Sequence, residues 1–83
     1  MYYIEMTDTF NGEANYSWCH RFLVNARTPL GAIRKVTKET GYPARKEYDT
    51  GDLIRYKVPN ACMCYFVSWQ GDQRDDDRFI KHL

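Results

Sequence analysis

The sequence has no long hydrophobic run and almost no net charge. No stretch approaches the roughly 20 apolar residues that a membrane-spanning helix needs, and the chain opens without the basic and apolar leader of a secreted protein. We therefore expect a cytoplasmic protein with no membrane partner. The formal net charge of +1 is far from the strongly basic composition that is typical of nucleic-acid-binding domains.

Cysteine and histidine are scarce and poorly spaced for a disulfide framework or a zinc site. The 3 cysteines are Cys19, Cys62 and Cys64, an odd number without a secretion signal. Structural zinc sites commonly place about two to four residues between paired cysteines, whereas only Met63 separates Cys62 from Cys64. Cys19 and His20 are adjacent, so they would point to opposite faces of a strand. We expect reduced thiols, no metal and no other cofactor.

Motifs for catalysis are also lacking. The sequence has no glycine-rich phosphate loop and no nucleophile elbow. His20 falls on the apolar face of a predicted strand and His82 is next to the last residue. A pairing of His20 with Cys62 or Cys64 is conceivable across strands, but the spacing does not favour it. We therefore predict no catalytic residue and no enzymatic activity.

The residues present predict one small domain over 1–83, built from one helix and several strands. Alternation of apolar and polar residues predicts five strands, namely Tyr2 to Thr7, Tyr16 to Ala26, Ala44 to Tyr48, Leu53 to Val58 and Ala61 to Trp69. Asn11-Gly12 is a strong turn pair, so the first two strands form a predicted antiparallel hairpin. The last strand is apolar on both faces, which indicates either a central strand or one covered on both faces.

A helix is predicted between Thr28 and Gly41. Thr28 is a suitable N-cap, Pro29 suits the first helical position and Gly41 suits the end. The predicted buried stripe contains Leu30, Ile33, Val36, Thr37 and Thr40. At 72–83, acids precede bases, an order that suits the dipole of a short C-terminal helix; a frayed, solvated tail is the alternative interpretation.

The predicted order is ββαβββ, followed by either the C-terminal helix or the frayed tail. The simplest way to bury both apolar patterns is one helix packed on one face of an antiparallel sheet, an α+β fold. One helix cannot cover all 13 aromatic residues. We expect Tyr3, Tyr48, Phe66 and Trp69 to line the opposite face, where they either form a binding or homodimer surface or flank the core.

Charge is unevenly distributed along the chain. Residues 1–20 carry −3, residues 21–57 carry +5 and residues 58–83 carry −1. The basic middle predicts a partner-binding surface composed of Arg27, Arg34, Lys35, Lys38, Arg45 and Lys46. A protein partner is the first interpretation, a nucleic acid is the second, and an ordinary solvated helix surface is the third.

The stretch Phe22 to Lys35 resembles small proteins of phages and mobile elements. This stretch has a strand ending in Val-x-Ala, a short turn and a Gly-Ala helix with basic residues, and in this it is similar to a type I-F anti-CRISPR family. The segment from Ile4 to Trp18 also resembles small phage proteins. The resemblance implies an anti-defence or host-takeover inhibitor in the cytoplasm of a bacterial host. It would act by contact with a host or defence-system protein complex. The alternatives are a nucleic-acid-binding module and a homodimeric accessory protein.

Overall fold

The computed structural model describes residues 1–69 and 80–83, which form one α-helix and six strands. The elements are β1 (Tyr2–Asp8), β2 (Cys19–Val24), α1 (Pro29–Thr40), β3 (Arg45–Asp49), β4 (Ile54–Lys57), β5 (Met63–Trp69) and β6 (Ile80–His82), with one 3-10 turn at Phe10–Gly12. The strands form a single sheet in the order β3-β4-β5-β1-β2-β6. The predicted α+β class, hairpin and central β5 are confirmed.

The end of the chain differs from the prediction, because Ile80–His82 is a strand and not part of a helix. β6 pairs in parallel with β2, which makes the sheet mixed. Leu83 N donates to Leu23 O and Asn25 N donates to Leu83 O, both at 2.9 Å. Pairing with the exposed edge of β2 thus gives the backbone groups at the end of the chain hydrogen-bond partners. A short helix without packing partners would be only marginally stable. The rest of the predicted C-terminal helix lies outside the described residues.

The hydrophobic core lies between α1 and one face of the sheet. Ile4 of β1 is directly opposite Phe22 of β2 and Val67 of β5, so all three point to α1. From the helix, Ala32, Ile33 and Val36 are buried against them. Leu30, which we predicted to be buried, is 50% exposed. At about 100° per residue, it lies outside the arc that contains the three buried positions.

Both ends of α1 have the predicted chemistry. Thr28 Oγ1 accepts a 3.0 Å hydrogen bond from Gly31 N, and Pro29 is the first helical residue. Gly41 has φ +79° and donates its N–H to Thr37 O at 2.8 Å. A residue other than glycine would be strained there. Local sequence therefore determines where this helix begins and ends.

The second strand is shorter than predicted, since β2 begins at Cys19 and not at Tyr16. The preceding segment is held by Asp8, whose carboxylate accepts from Ser17 N at 2.9 Å and from Asn15 Nδ2 at 3.1 Å. Burial opposes ionisation of Asp8, but these hydrogen bonds and one from Phe10 N outweigh it and lower the pKa of the carboxyl. The alternation of apolar and polar residues could not predict these hydrogen bonds between Asp8 and the segment before β2.

Candidate functional site

The face of the sheet opposite α1, here called the far face, holds most of the strands' chemically functional side chains. Strand register assigns to it Tyr3, Glu5, Thr7, Cys19, Arg21, Leu23, Arg45, Tyr48, Arg55, Lys57, Cys64, Phe66 and Ser68. Tyr3, Tyr48 and Phe66 thus lie where we predicted. Trp69 does not, because it is opposite Tyr2 on the helix side and packs edge-on against it at 5.0 Å.

One continuous row of partners crosses the far face. Successive strand neighbours are Arg21, Glu5, Phe66, Arg55 and Tyr48. The Arg55 guanidinium lies 5.7 Å from the centre of the Phe66 ring, a cation–π distance. Opposite charges and aromatic contacts along this row stabilise neighbouring strands.

Glu5 is the acidic residue of that row. Tyr3 Oη donates to Glu5 Oε2 at 2.9 Å. Burial, together with the nearby Glu5 carboxylate, raises the pKa of Tyr3 and raises that of Tyr16 to about 12. Both phenols therefore stay neutral donors at physiological pH, and the Glu5 charge is used within the molecule.

The six predicted partner-binding bases are divided between three places. Arg34, Lys35 and Lys38 are exposed on α1, and Arg27 is exposed just before it. Spacings of three and four residues on a helix bring Lys38 close to Arg34 and Lys35. Lys35 Nζ also donates to Asn25 O at 2.6 Å, which ties it to the end of the preceding loop. We call these four residues the basic helix surface.

Arg45 and Lys46 lie apart from that surface, on the edge strand β3. Arg45 is opposite Lys57 and points to the far face, whereas Lys46 is opposite Tyr56 and points to the helix side. Adjacent residues on a strand point in opposite directions. The predicted set therefore does not form one continuous patch, since Arg45 is on the other side of the sheet.

Acidic and basic side chains are used differently. Among the described residues, several acids have intramolecular partners: Tyr3 for Glu5, Ser17 and Asn15 for Asp8, Lys81 for Glu39, Arg55 for Glu47 and Gly51 N for Asp49. The bases that make no ion pair within 1–69 and 80–83 are Arg27, Arg34, Lys35, Lys38, Arg45, Lys46 and Lys57. Within the described residues, the surface thus offers positive charge that no ion pair neutralises.

The cysteines do not converge on a reactive centre. Burial raises the pKa of the Cys64 thiol, and burial together with Glu5 raises that of Cys19. Protonated thiols are poor nucleophiles and poor metal ligands. Cys62 is exposed in the turn before β5. Within the part of the chain that is described, no group of three His, Cys, Asp or Glu side chains could hold a metal ion.

An open groove of about 300 Å³ lies at the C-terminal end of α1. Met6 and Phe22 line its buried floor, while His20, Tyr42 and the Glu39–Lys81 ion pair line its rim. Thr40 and Tyr65 hydroxyls are 2.8 Å apart beside it, and Tyr65 Oη donates to Tyr42 O at 3.1 Å. These bonds fix the end of the helix on the sheet, which is a structural role.

Comparison with protein-family models, curated proteins and solved structures finds no match. Among the described residues, no helix has the length and apolar character needed to cross a bilayer. A function is therefore inferred from the charged residues on the surface of the molecule.

Proposed function

We propose that this protein is a non-catalytic binding module, and that the basic helix surface docks on an acidic surface of a protein partner. The observation that supports this is a set of exposed bases that make no ion pair within residues 1–69 and 80–83, whereas several acids of that part have partners. Arg34 and Lys38 are one helical turn apart, where like charges repel. An anionic partner would relieve that repulsion.

A protein partner agrees better with the charge distribution than a nucleic acid does. The sequence pI is about 7.7, whereas nucleic-acid-binding domains are generally above about 9. Glu39 and its ion pair with Lys81 also interrupt the positive potential beside Lys38. Mixed charge of this kind suits a protein surface with its own acidic and basic groups.

The class of partner is a further part of the proposal. The resemblance of residues 22–35 to a type I-F anti-CRISPR family suggests a host or defence-system protein complex in a bacterial cytoplasm. Steric contact with such a complex needs a rigid surface and no cleft. α1 is such a surface, because it is capped at both ends and packed on β1, β2 and β5.

The test is capture of partners from a bacterial lysate by the full chain, with and without nuclease. The decisive variant is Arg34→Glu/Lys38→Glu, and the matched control is Arg45→Glu/Lys57→Glu, which makes the same change in net charge on the far face. We expect the helix variant to lose the partner and the control to keep it, regardless of nuclease. Equal retention by both variants would refute the proposed surface.

The nucleic-acid alternative has its own signature. A duplex held through phosphates would shift in a gel at about 50 mM salt and dissociate steeply as salt rises. Such binding, together with loss of the captured partner after nuclease treatment, would replace the protein-partner proposal. A homodimeric accessory protein would instead have twice the monomer mass in solution.

A further inference from the structure

Two positive side chains face each other directly across β3 and β4. Arg45 and Lys57 are register partners on the far face, where opposed side chains have Cβ atoms about 4.5–5.5 Å apart. Both residues are exposed, and neither makes an ion pair within the described residues. Like charges in this position repel each other, and an anion between or above the pair would relieve that repulsion.

A third positive group belongs to the same place. Arg55 is two residues before Lys57 on β4 and therefore points to the same face. Its Nε is 3.5 Å from Glu47 Oε1, and this buried nitrogen has no hydrogen-bond partner in the part of the chain that the structure describes. The Phe66 ring packs against its guanidinium. Glu47 thus balances part of the charge of Arg55 without forming a hydrogen bond to Nε.

The turn after β1 closes one side of this region and creates a depression of about 110 Å³. Thr9, Gly12, Glu47, Arg55 and Lys57 line it. Thr9 N donates to Cys62 O and Gly12 N donates to Thr9 O, each at 2.8 Å, so the turn is held in place from both sides. Pockets for drug-sized ligands span about 300–1,000 Å³, and this depression suits one small ion or one group of a larger molecule.

We propose that Arg55, Lys57 and Glu47, which line this depression, form a site for a dianionic phosphate group together with Arg45, the register partner of Lys57. We call this site the basic pocket. Three positive charges and one negative charge leave +2, which matches a phosphate monoester or free phosphate near neutral pH. Guanidinium groups can donate two parallel hydrogen bonds to phosphate oxygens, and the Lys57 ammonium adds a point charge. A phosphodiester, with a single charge, would leave part of the repulsion in place.

This inference is independent of the basic helix surface, because the two sites lie on opposite sides of the sheet. The probes are inorganic phosphate, phenyl phosphate and dimethyl phosphate. Each is titrated into the full chain at constant ionic strength while amide NMR signals are followed. With inorganic phosphate and phenyl phosphate, we expect saturable chemical-shift changes around Thr9, Gly12, Glu47 and Lys57. Dimethyl phosphate should bind with an affinity at least about tenfold lower. Raising the pH from 5.5 to 7.5 should tighten the binding of phenyl phosphate, since the second ionisation of a phosphate monoester lies near 6.

The variants separate the pocket from general attraction to a positive protein. Lys57→Ala should weaken phosphate binding about tenfold, and Glu47→Gln should strengthen it. Lys46→Ala is the matched control, because Lys46 is on the same edge strand but points to the helix side, and it should change nothing. All three residues are exposed, so folding is expected to survive and is checked from the amide spectrum.

The outcomes also identify the source of the phosphate. Tighter binding of phenyl phosphate than of inorganic phosphate would support a phosphorylated molecule as the ligand, and the reverse order would support the free ion. Chemical-shift changes that rise linearly with phosphate without saturating, and that chloride produces to the same extent, would overturn the proposal. Equal affinity for dimethyl phosphate, or an equal loss in Lys46→Ala and Lys57→Ala, would overturn it as well.

Discussion

The two faces of the sheet differ in composition: the helix side is mostly apolar and buried, and the far face carries most of the charged side chains of the strands. On the helix side, the central strands present apolar residues such as Ile4, Val24 and Val67, with 0%, 0% and 1% of their surfaces exposed. The far face buries Thr7 and Cys64 but also carries charged and aromatic side chains in one continuous row. The apolar core thus lies under the single helix, while the far face and the outer side of α1 carry most of the charged side chains of the described residues.

Replacing one core side chain gives the largest expected effect and tests this division directly. Ile4→Ala should lower the free energy of unfolding by about 2–5 kcal/mol, because it leaves a cavity between α1 and the sheet. The neighbouring change Glu5→Ala, on the far face, should cost about 1 kcal/mol, since it removes the acceptor for Tyr3. Urea denaturation measures both. Equal losses would mean that the far face contributes as much stability as the core.

The pH dependence of stability should be traceable to Asp8. The folded-state pKa of this carboxyl is lowered, so its stabilising contribution is present above its ordinary value near 3.9 and is lost as pH falls through the folded pKa. Asp8→Asn should therefore flatten the decline in stability that sets in as pH falls below about 4. Asp52→Asn, an exposed carboxyl in the β3–β4 turn, is the control. A decline of unchanged steepness in Asp8→Asn would show that other acids are responsible.

The smallest expected effect has the opposite sign. Lys57→Ala removes one member of the like-charged pair with Arg45, and it should raise the free energy of unfolding by about 0.2–1 kcal/mol at low salt. The gain should shrink as salt is added, because screening already weakens the repulsion. Lys46→Ala, opposite Tyr56, should show no such gain. A loss of stability in Lys57→Ala would contradict the repulsion on which the basic pocket rests.

Features that depend on neighbouring residues could be predicted from the sequence. Thr28, Pro29 and Gly41 define α1 by local hydrogen bonding and backbone conformation, and the structure places its ends at those residues. The bases of α1 were also evident, since an exposed helix face needs no knowledge of the rest of the fold.

Features that depend on strand pairing could not be predicted in the same way. Whether Trp69 points to α1 or away depends on its register against Tyr2, and pairing of β6 with β2 joins distant parts of the chain. The basic pocket depends on the pairing of Arg45 with Lys57 across β3 and β4. Its residues were present in the basic middle of the sequence, but no local pattern grouped them.

The most direct test of the proposed function is the comparison of two double charge reversals in partner capture after nuclease treatment. Arg34→Glu/Lys38→Glu should abolish capture, while Arg45→Glu/Lys57→Glu should leave it unchanged, although both alter the net charge equally. If the far-face variant loses the partner and the helix variant keeps it, the basic helix surface is not the docking surface.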